Sequence, residues 1–241
     1  MSLPYLQPYL GLSNGLNTIH AAGAGGWTLE EDFTLCTTNQ CDGLWLSSDT
    51  SAISVNTGSN WIDWTVSRGT NDAMTYDLGA GQSDTAWLLR FQIYWTARGN
   101  SATNQQWWGI SSHDRNSAHN VAQDFLGIMT VRFGIDGCRS QEADNAILPA
   151  SGDVSYTGGY NTSTNYYHEI IRTSATTFEF SISSTDSYSK NIFDSSSITC
   201  VSSITGLRYI KLVNENAGTG SDGTESRTPT VKFANGVSTP P

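Results

Sequence analysis

Short runs in which apolar and polar residues alternate, each closed by Gly, Asn, Asp or Ser, recur along the chain and restrict it to strands. "NWIDWTVS" sets Ile62, Trp64 and Val66 against Asp63 and Thr65, and "AMTYDLG" sets Met74, Tyr76 and Leu78 against Thr75 and Asp77. "WLLRFQIYW" sets Leu89, Phe91 and Ile93 against Arg90, Gln92 and Tyr94. "IMTVRFGI" sets Met129, Val131, Phe133 and Ile135 against Thr130 and Arg132, and "FEFSIS" sets Phe178, Phe180 and Ile182 against Glu179 and Ser181. A period of two gives each strand one buried and one wetter face. No segment sustains a helical period, and "NSAHNVAQ" offers one turn at most. The expectation is an all-β fold, a two-sheet antiparallel β-sandwich.

One sandwich can account for all 241 residues, and 8 Trp and 10 Tyr supply a large core. Residues 27–238 are expected to form a single domain, with 1–26 an N-terminal extension or lead-in and 239–241 a tail. Charged residues make up only 14%, too few for the Glu- and Lys-rich surface helices of mixed folds. The formal net charge of −10 repels polyanions, which argues against nucleic acid and anionic membranes as partners. No stretch approaches the ~20 apolar residues of a spanning helix, so no membrane insertion is expected.

The four cysteines are Cys36, Cys41, Cys138 and Cys200. "CTTNQC" is not a CxxC and has no neighbouring His to complete a zinc set. Its four intervening residues suit a tight turn, so Cys36 and Cys41 are expected to form a disulfide. For Cys138 and Cys200, a second bridge and two buried free thiols both stay open.

Taken in order, "WTLEEDFTLCTT", "TAWLLRFQIYW", "GISSHDRNSAHNVAQDFLGI" and the closing "GLRYIKLVNENAGTG…TPTVKFANGVS" resemble the concanavalin A-like lectin/glucanase superfamily, in its laminin G-like branch. The resemblance runs from Trp27 to Ser238 and implies a jelly roll whose concave face holds carbohydrate in relatives. Relatives often carry an acidic pair before the last strand as part of a structural calcium site. Here "TPTVKF", with Pro229 and Thr230, lacks it, and calcium needs several charged oxygens. Asp32, Asp114 and Asp124 are left as calcium donors elsewhere or as solvated loop residues. No other cofactor is expected.

The resemblance also brings catalytic patterns to weigh. Glucanases of the superfamily use a Glu-x-Asp-x-x-Glu strand; "EADNAI" keeps Glu142 and Asp144 but has Ile147 last, which counts against hydrolysis. Glu169 and Glu179 are expected on opposite faces of neighbouring strands, with Tyr167 and Ile171 buried and His168 and Arg172 turned outward. Polysaccharide lyases of this fold set Arg, Gln, His and Tyr on the concave face. "RFQIY" puts Arg90, Gln92 and Tyr94 on one face, to which Arg132 and His168 are expected to add. "RYIKLVNEN" resembles the closing lyase strand through Tyr209 and Lys211. The lyase Gln-Ile-His reads Gln-Ile-Tyr here, however, and the Arg-rich first motif is missing.

"WWGISSHDRNSAHNVAQDFLG" reads as strand, loop over 112–123, and strand. Strand neighbours alternate, so one of Trp107 and Trp108 should face the core and the other outward. An outward Trp beside Asn104, Gln105 and the His113–Asp114 pair suits a sugar ring; packing of both rings under the loop is the alternative. The expected ligand-binding set is Arg90, Gln92, Tyr94, Trp107, Trp108, His113, Asp114, Arg132 and His168, with a glycan or polysaccharide as partner. The expected function is a non-catalytic, lectin-like module outside a cell or on a particle surface. A polysaccharide lyase or glycoside hydrolase of the same fold is the alternative, and a structural or adhesion module that binds protein is a third.

Overall fold

The structure of the chain is a computed structural model that describes residues 26–65, 71–79, 82–98, 104–114, 124–131, 137–145, 154–216 and 225–241. The first strands are β1 (Leu29–Glu30), β2 (Trp45–Ser47), β3 (Ile53–Asn56), β4 (Trp61–Thr65), β5 (Asn71–Asp77) and β6 (Trp87–Ala97). There follow β7 (Asn104–Ser111), β8 (Phe125–Val131), β9 (Gly137–Ala143), β10 (Ser155–Tyr156), β11 (Asn165–Ser174) and β12 (Thr177–Ser183). The last are β13 (Phe193–Asp194), β14 (Ile198–Thr199), β15 (Tyr209–Asn216), β16 (Glu225–Thr228) and β17 (Val231–Asn235). The larger sheet runs β13-β12-β11-β6-β16-β4-β3, with β17 beside β6, β1 beside β17 and β14 beside β12. The smaller runs β10-β9-β8-β7-β15-β5-β2. All of these pairings are antiparallel. Among the described residues no helix is long and apolar enough to cross a membrane.

Period-2 patterning decides what lies between the sheets. Ile62 and Trp64 of β4, Leu89, Phe91, Ile93 and Trp95 of β6, and Phe178, Phe180 and Ile182 of β12 are buried there. The smaller sheet answers with Met74, Trp108, Ile110, Leu126, Ile128 and Leu212. At the centre Trp108 stacks flat on Phe91, with centroids 4.7 Å apart and planes 4° from parallel, and meets Trp64 at 4.6 Å. Gln106 adds a polar tie between the sheets: its Oε1 accepts from Trp95 Nε1 at 3.3 Å and its Nε2 donates to Ser226 Oγ at 3.0 Å.

Strand β8 runs in the opposite phase to the sequence reading. In β8 it is Leu126 and Ile128 that enter the central core, while Met129 faces away with Trp107, Phe125, Ala143 and Val213. "FLGIMTV" is apolar in both phases because both faces are covered, so alternation cannot choose between them. On that second face Gly109 and Gly127 lie directly opposite each other. A Cβ at Gly109 would come 2.3 Å from Leu126 O and 2.8 Å from Phe125 Cζ, so the glycine keeps room for the Phe125 ring.

Cys36 and Cys41 form a disulfide with Cα atoms 4.4 Å apart. Cys138 and Cys200 are free and buried, so of the two alternatives it is the free thiols that the fold contains. Burial pushes the Cys138 thiol up to about 12. Unfolded, unreduced protein should therefore titrate two thiols, and four after reduction. The Cys36→Ser/Cys41→Ser variant should lose about 2 kcal/mol in urea denaturation, the scale for closing a short loop. Four reactive thiols before reduction would contradict this pairing.

Candidate functional site: a cleft on the outer face of the larger sheet

Residues that alternate with the core set emerge on the outside of the larger sheet. There the register lines up one row across five strands. Asn165 of β11 lies opposite Tyr94 of β6, Tyr94 opposite Arg227 of β16, Arg227 opposite Asp63 of β4, and Asp63 opposite Ser54 of β3. At ~4.8 Å per strand, the part from Asn165 to Asp63 spans about 14 Å. Trp61, two residues before Asp63, shares its face. Pro229 follows β16 and cannot donate to a ladder, so pairing to β6 passes from β16 to β17 at this point. Trp61, Tyr94, Asn165, Arg227 and Pro229 line a cavity of about 170 Å³.

The polar side chains of the cleft hold one another in place. Asp63 accepts from Trp61 Nε1 at 2.8 Å and from Asn56 Nδ2 at 2.6 Å. Its Oδ1 also lies 3.5 Å from Arg227 Nε. The Arg227 guanidinium sits over the Trp61 ring, 4.5 Å from its centroid. Gln92 Nε2 donates to Asn165 Oδ1 at 2.7 Å and fixes that amide. Such a surface offers aromatic faces for apolar sugar faces and oriented donors and acceptors for hydroxyls.

The residues singled out from sequence are dispersed. Tyr94 lines the cleft, and Gln92 stands behind Asn165. Arg90 shares their face but is consumed: it contacts Glu169 Oε2 through Nε and Nη2, both at 2.6 Å, and stacks on Tyr188 at 4.2 Å. His113 and Asp114 lie half exposed beyond the end of β7, in the smaller sheet, with Nδ1 and Oδ1 3.2 Å apart. Trp107 is on that sheet's outer face yet only 2% exposed, packed on Phe125 at 5.6 Å. Trp108 is in the core, so neither ring presents a sugar platform in this conformation. Arg132 falls outside the described residues.

His168 is a correction. β11 pairs with β6 so that His168 lies opposite Phe91 and Glu169 opposite Arg90, which turns His168 inward and Glu169 outward. The imidazole is fully buried, stacked on Phe91 at 5.2 Å, with Nε2 2.9 Å from Tyr160 Oη. Desolvation pushes its pKa down to about 3. Arg172 also turns inward, and its Nη2 donates to Ala175 O and Ile204 O, each at 2.9 Å. Glu169 and Glu179 therefore share the outer face, contrary to expectation, but Glu169 pairs with Arg90 and Glu179 faces Lys190 at 3.8 Å. "YYHEIIRT" carries a polar residue in both phases, and only the partner strand resolves it.

The remaining carboxylates have local duties. Glu142 Oε2 accepts from Val201 N at 3.1 Å, and Asp144 Oδ2 accepts from Ser203 Oγ at 2.5 Å. Asp32 accepts from Thr34 N, and Asp124 takes Asn145 N at 3.0 Å and Thr205 N at 2.9 Å. Lys211 is buried in β15, where desolvation pushes it down to about 8. The sequence reading missed Trp61, Asn165 and Arg227. The one available signal was Trp61, which shares a phase with Asp63 and so puts a large aromatic on a wet face.

No family model matches the sequence, and no curated protein matches it. Solved structures do resemble the fold. An endo-1,3-β-glucanase from Streptomyces sioyaensis aligns with a TM-score of 0.58 at 12% identity, over 88% of this chain and 98% of that one. The Emp47p carbohydrate recognition domain aligns at 0.55 and 11% identity, over 84% of this chain and 93% of that one. A structure from work on endo-acting O-glycanases of human gut microbiota that initiate mucin breakdown aligns at 0.60 and 8% identity, over 87% and 99%. The fold is the concanavalin A-like sandwich.

Burial of neutral His168 has a consequence for stability. Its folded pKa lies below the unfolded value, so the unfolded chain takes up the proton first as pH falls. The contribution is intact above about pH 6.5 and is lost progressively toward pH 3. Between pH 7 and pH 5 the wild type should lose about 2 kcal/mol of unfolding free energy from this group alone. His168→Gln should flatten that slope in urea denaturation series; identical slopes would contradict a buried neutral imidazole.

Proposed function

For a chain with the concanavalin A-like fold, we propose a carbohydrate-binding, lectin-like role carried by the cleft at Trp61, Tyr94, Asn165 and Arg227. The observation behind this reading is the aligned row on the larger sheet, which sets two aromatic rings, an amide and a guanidinium around one cavity of about 170 Å³. The solved structures it resembles include a carbohydrate recognition domain and an endo-1,3-β-glucanase, which supports a glycan as ligand. Binding without catalysis is favoured by the carboxylates. Glu142 faces the backbone of Val201, Glu169 is held by Arg90, and Asp63 is occupied by Trp61 and Asn56. Retaining hydrolysis needs two free carboxyls ~5–5.5 Å apart on an open face. The Cys36–Cys41 bridge supports an oxidising, extracellular or particle-surface setting.

A glycan array followed by titration calorimetry on the best hit tests this reading. Trp61→Ala and Tyr94→Ala should each weaken binding by about 1–3 kcal/mol while leaving the melting temperature nearly unchanged, because both rings are only partly buried. Arg90→Ala should do the reverse, lowering stability with little effect on affinity, since it strands the buried Glu169 carboxylate. Saccharide binding that survives both Trp61→Ala and Tyr94→Ala would remove the cleft from consideration.

A further inference from the structure

Arg227 does more in this cleft than line it. The Trp61 ring supports the guanidinium from one face, and Asp63 holds it from the Nε side. Both Asp63 oxygens already accept hydrogen bonds, one from Trp61 Nε1 and one from Asn56 Nδ2. Neither Nη group of Arg227 donates a hydrogen bond among the described residues, and the side chain is 39% exposed. A guanidinium stacked and pinned in this way has lost its rotamer freedom before any ligand arrives. It presents the two-pronged edge that matches a planar carboxylate.

We propose that the cleft recognises a carboxylated saccharide, a hexuronate or sialic-acid-type unit, whose carboxylate is held end-on by the Arg227 Nη groups while its ring lies against Tyr94. The assignment rests on the saccharide-binding reading and narrows its ligand class. Tyr94 lies directly opposite Arg227 in the ladder, and Asn165 directly opposite Tyr94, so the acid, the ring and a hydroxyl contact follow one another along a single row. Two acidic groups flank Arg227 in the ladder: Asp63 opposite it, and the exposed Glu225 two residues before it on β16, whose Oε2 accepts from Thr96 Oγ1 at 3.3 Å. A ligand carboxylate ~3 Å from the guanidinium stands roughly twice as far from Asp63, so attraction outweighs that repulsion about twofold in a common dielectric. The net charge of −10 opposes acidic polymers at long range. Preference therefore arises at contact and persists at physiological salt, where the Debye length is about 8 Å.

The test is an affinity panel run at physiological salt. The probes are oligomers of galacturonate, glucuronate and mannuronate, together with sialyllactose, each paired with its methyl ester, plus a sulfated galactan and a broad neutral array. At least one free acid should bind roughly tenfold or more tighter than its own ester. Arg227→Gln should erase that difference, leave residual binding that Trp61→Ala removes, and melt like wild type. Arg227→Lys should restore only part of it, because a point charge cannot make the paired contact. Acid and ester bound equally, neutral glycans bound best, or sulfate preferred over every carboxylate would each overturn the assignment of class while leaving a saccharide site in place. If no saccharide in the panel or array binds, the class and the site both fall.

Discussion

Trp108 leaves the smaller sheet to lie flat on Phe91 of the larger one, and the phase of every strand around the cleft follows from that contact. With Phe91 fixed inward, Gln92 and Tyr94 are fixed outward. Trp64 also packs on Trp108, with centroids 4.6 Å apart, which fixes β4 and sends Trp61 and Asp63 outward. β16 runs between β4 and β6 and has Ser226 tied inward to Gln106, so Arg227 emerges beside Tyr94. A slip of one residue in any of these strands would exchange its faces. Stacked rings that bury this much area are the term best able to forbid such a slip.

The same contact explains which parts of the molecule could be read from sequence. β4, β12 and β6 from Leu89 onward have a polar residue between each pair of apolar ones, so their inward sets follow directly. β8 and β11 lack that contrast. Met129 and Ile128 are equally apolar, and His168 and Glu169 are equally polar, so composition gives no phase. His168 belongs inside because Phe91 offers a parallel ring and Tyr160 a hydroxyl, neither of which is near it in the sequence. Arg90 was legible as outward-facing, but its capture by Glu169 and Tyr188 depends on residues far along the chain. The cleft itself joins positions 61, 94, 165 and 227, and no local pattern brings those four together.

A division of labour between charges follows. Inside or near the core, charged groups are held locally, Arg172 by backbone carbonyls that accept its hydrogen bonds and Arg90 by the Glu169 carboxylate. Such groups stabilise the fold and are unavailable for recognition. In the cleft the arrangement differs, because Asp63 and Trp61 constrain Arg227 without covering its far edge. A constrained but accessible guanidinium loses little entropy on binding, which is how a small cavity achieves selectivity.

The tryptophans make the central claim directly measurable. Seven of the eight are at most 9% exposed, and Trp61 is the one that is only partly buried. Acrylamide quenching of intrinsic fluorescence should therefore report a small accessible fraction that belongs to Trp61 and disappears in Trp61→Phe. Saturation with a bound oligosaccharide should protect that fraction. A saccharide that binds tightly and leaves the quenching unchanged would mean that the glycan is held somewhere other than the outer face of the larger sheet.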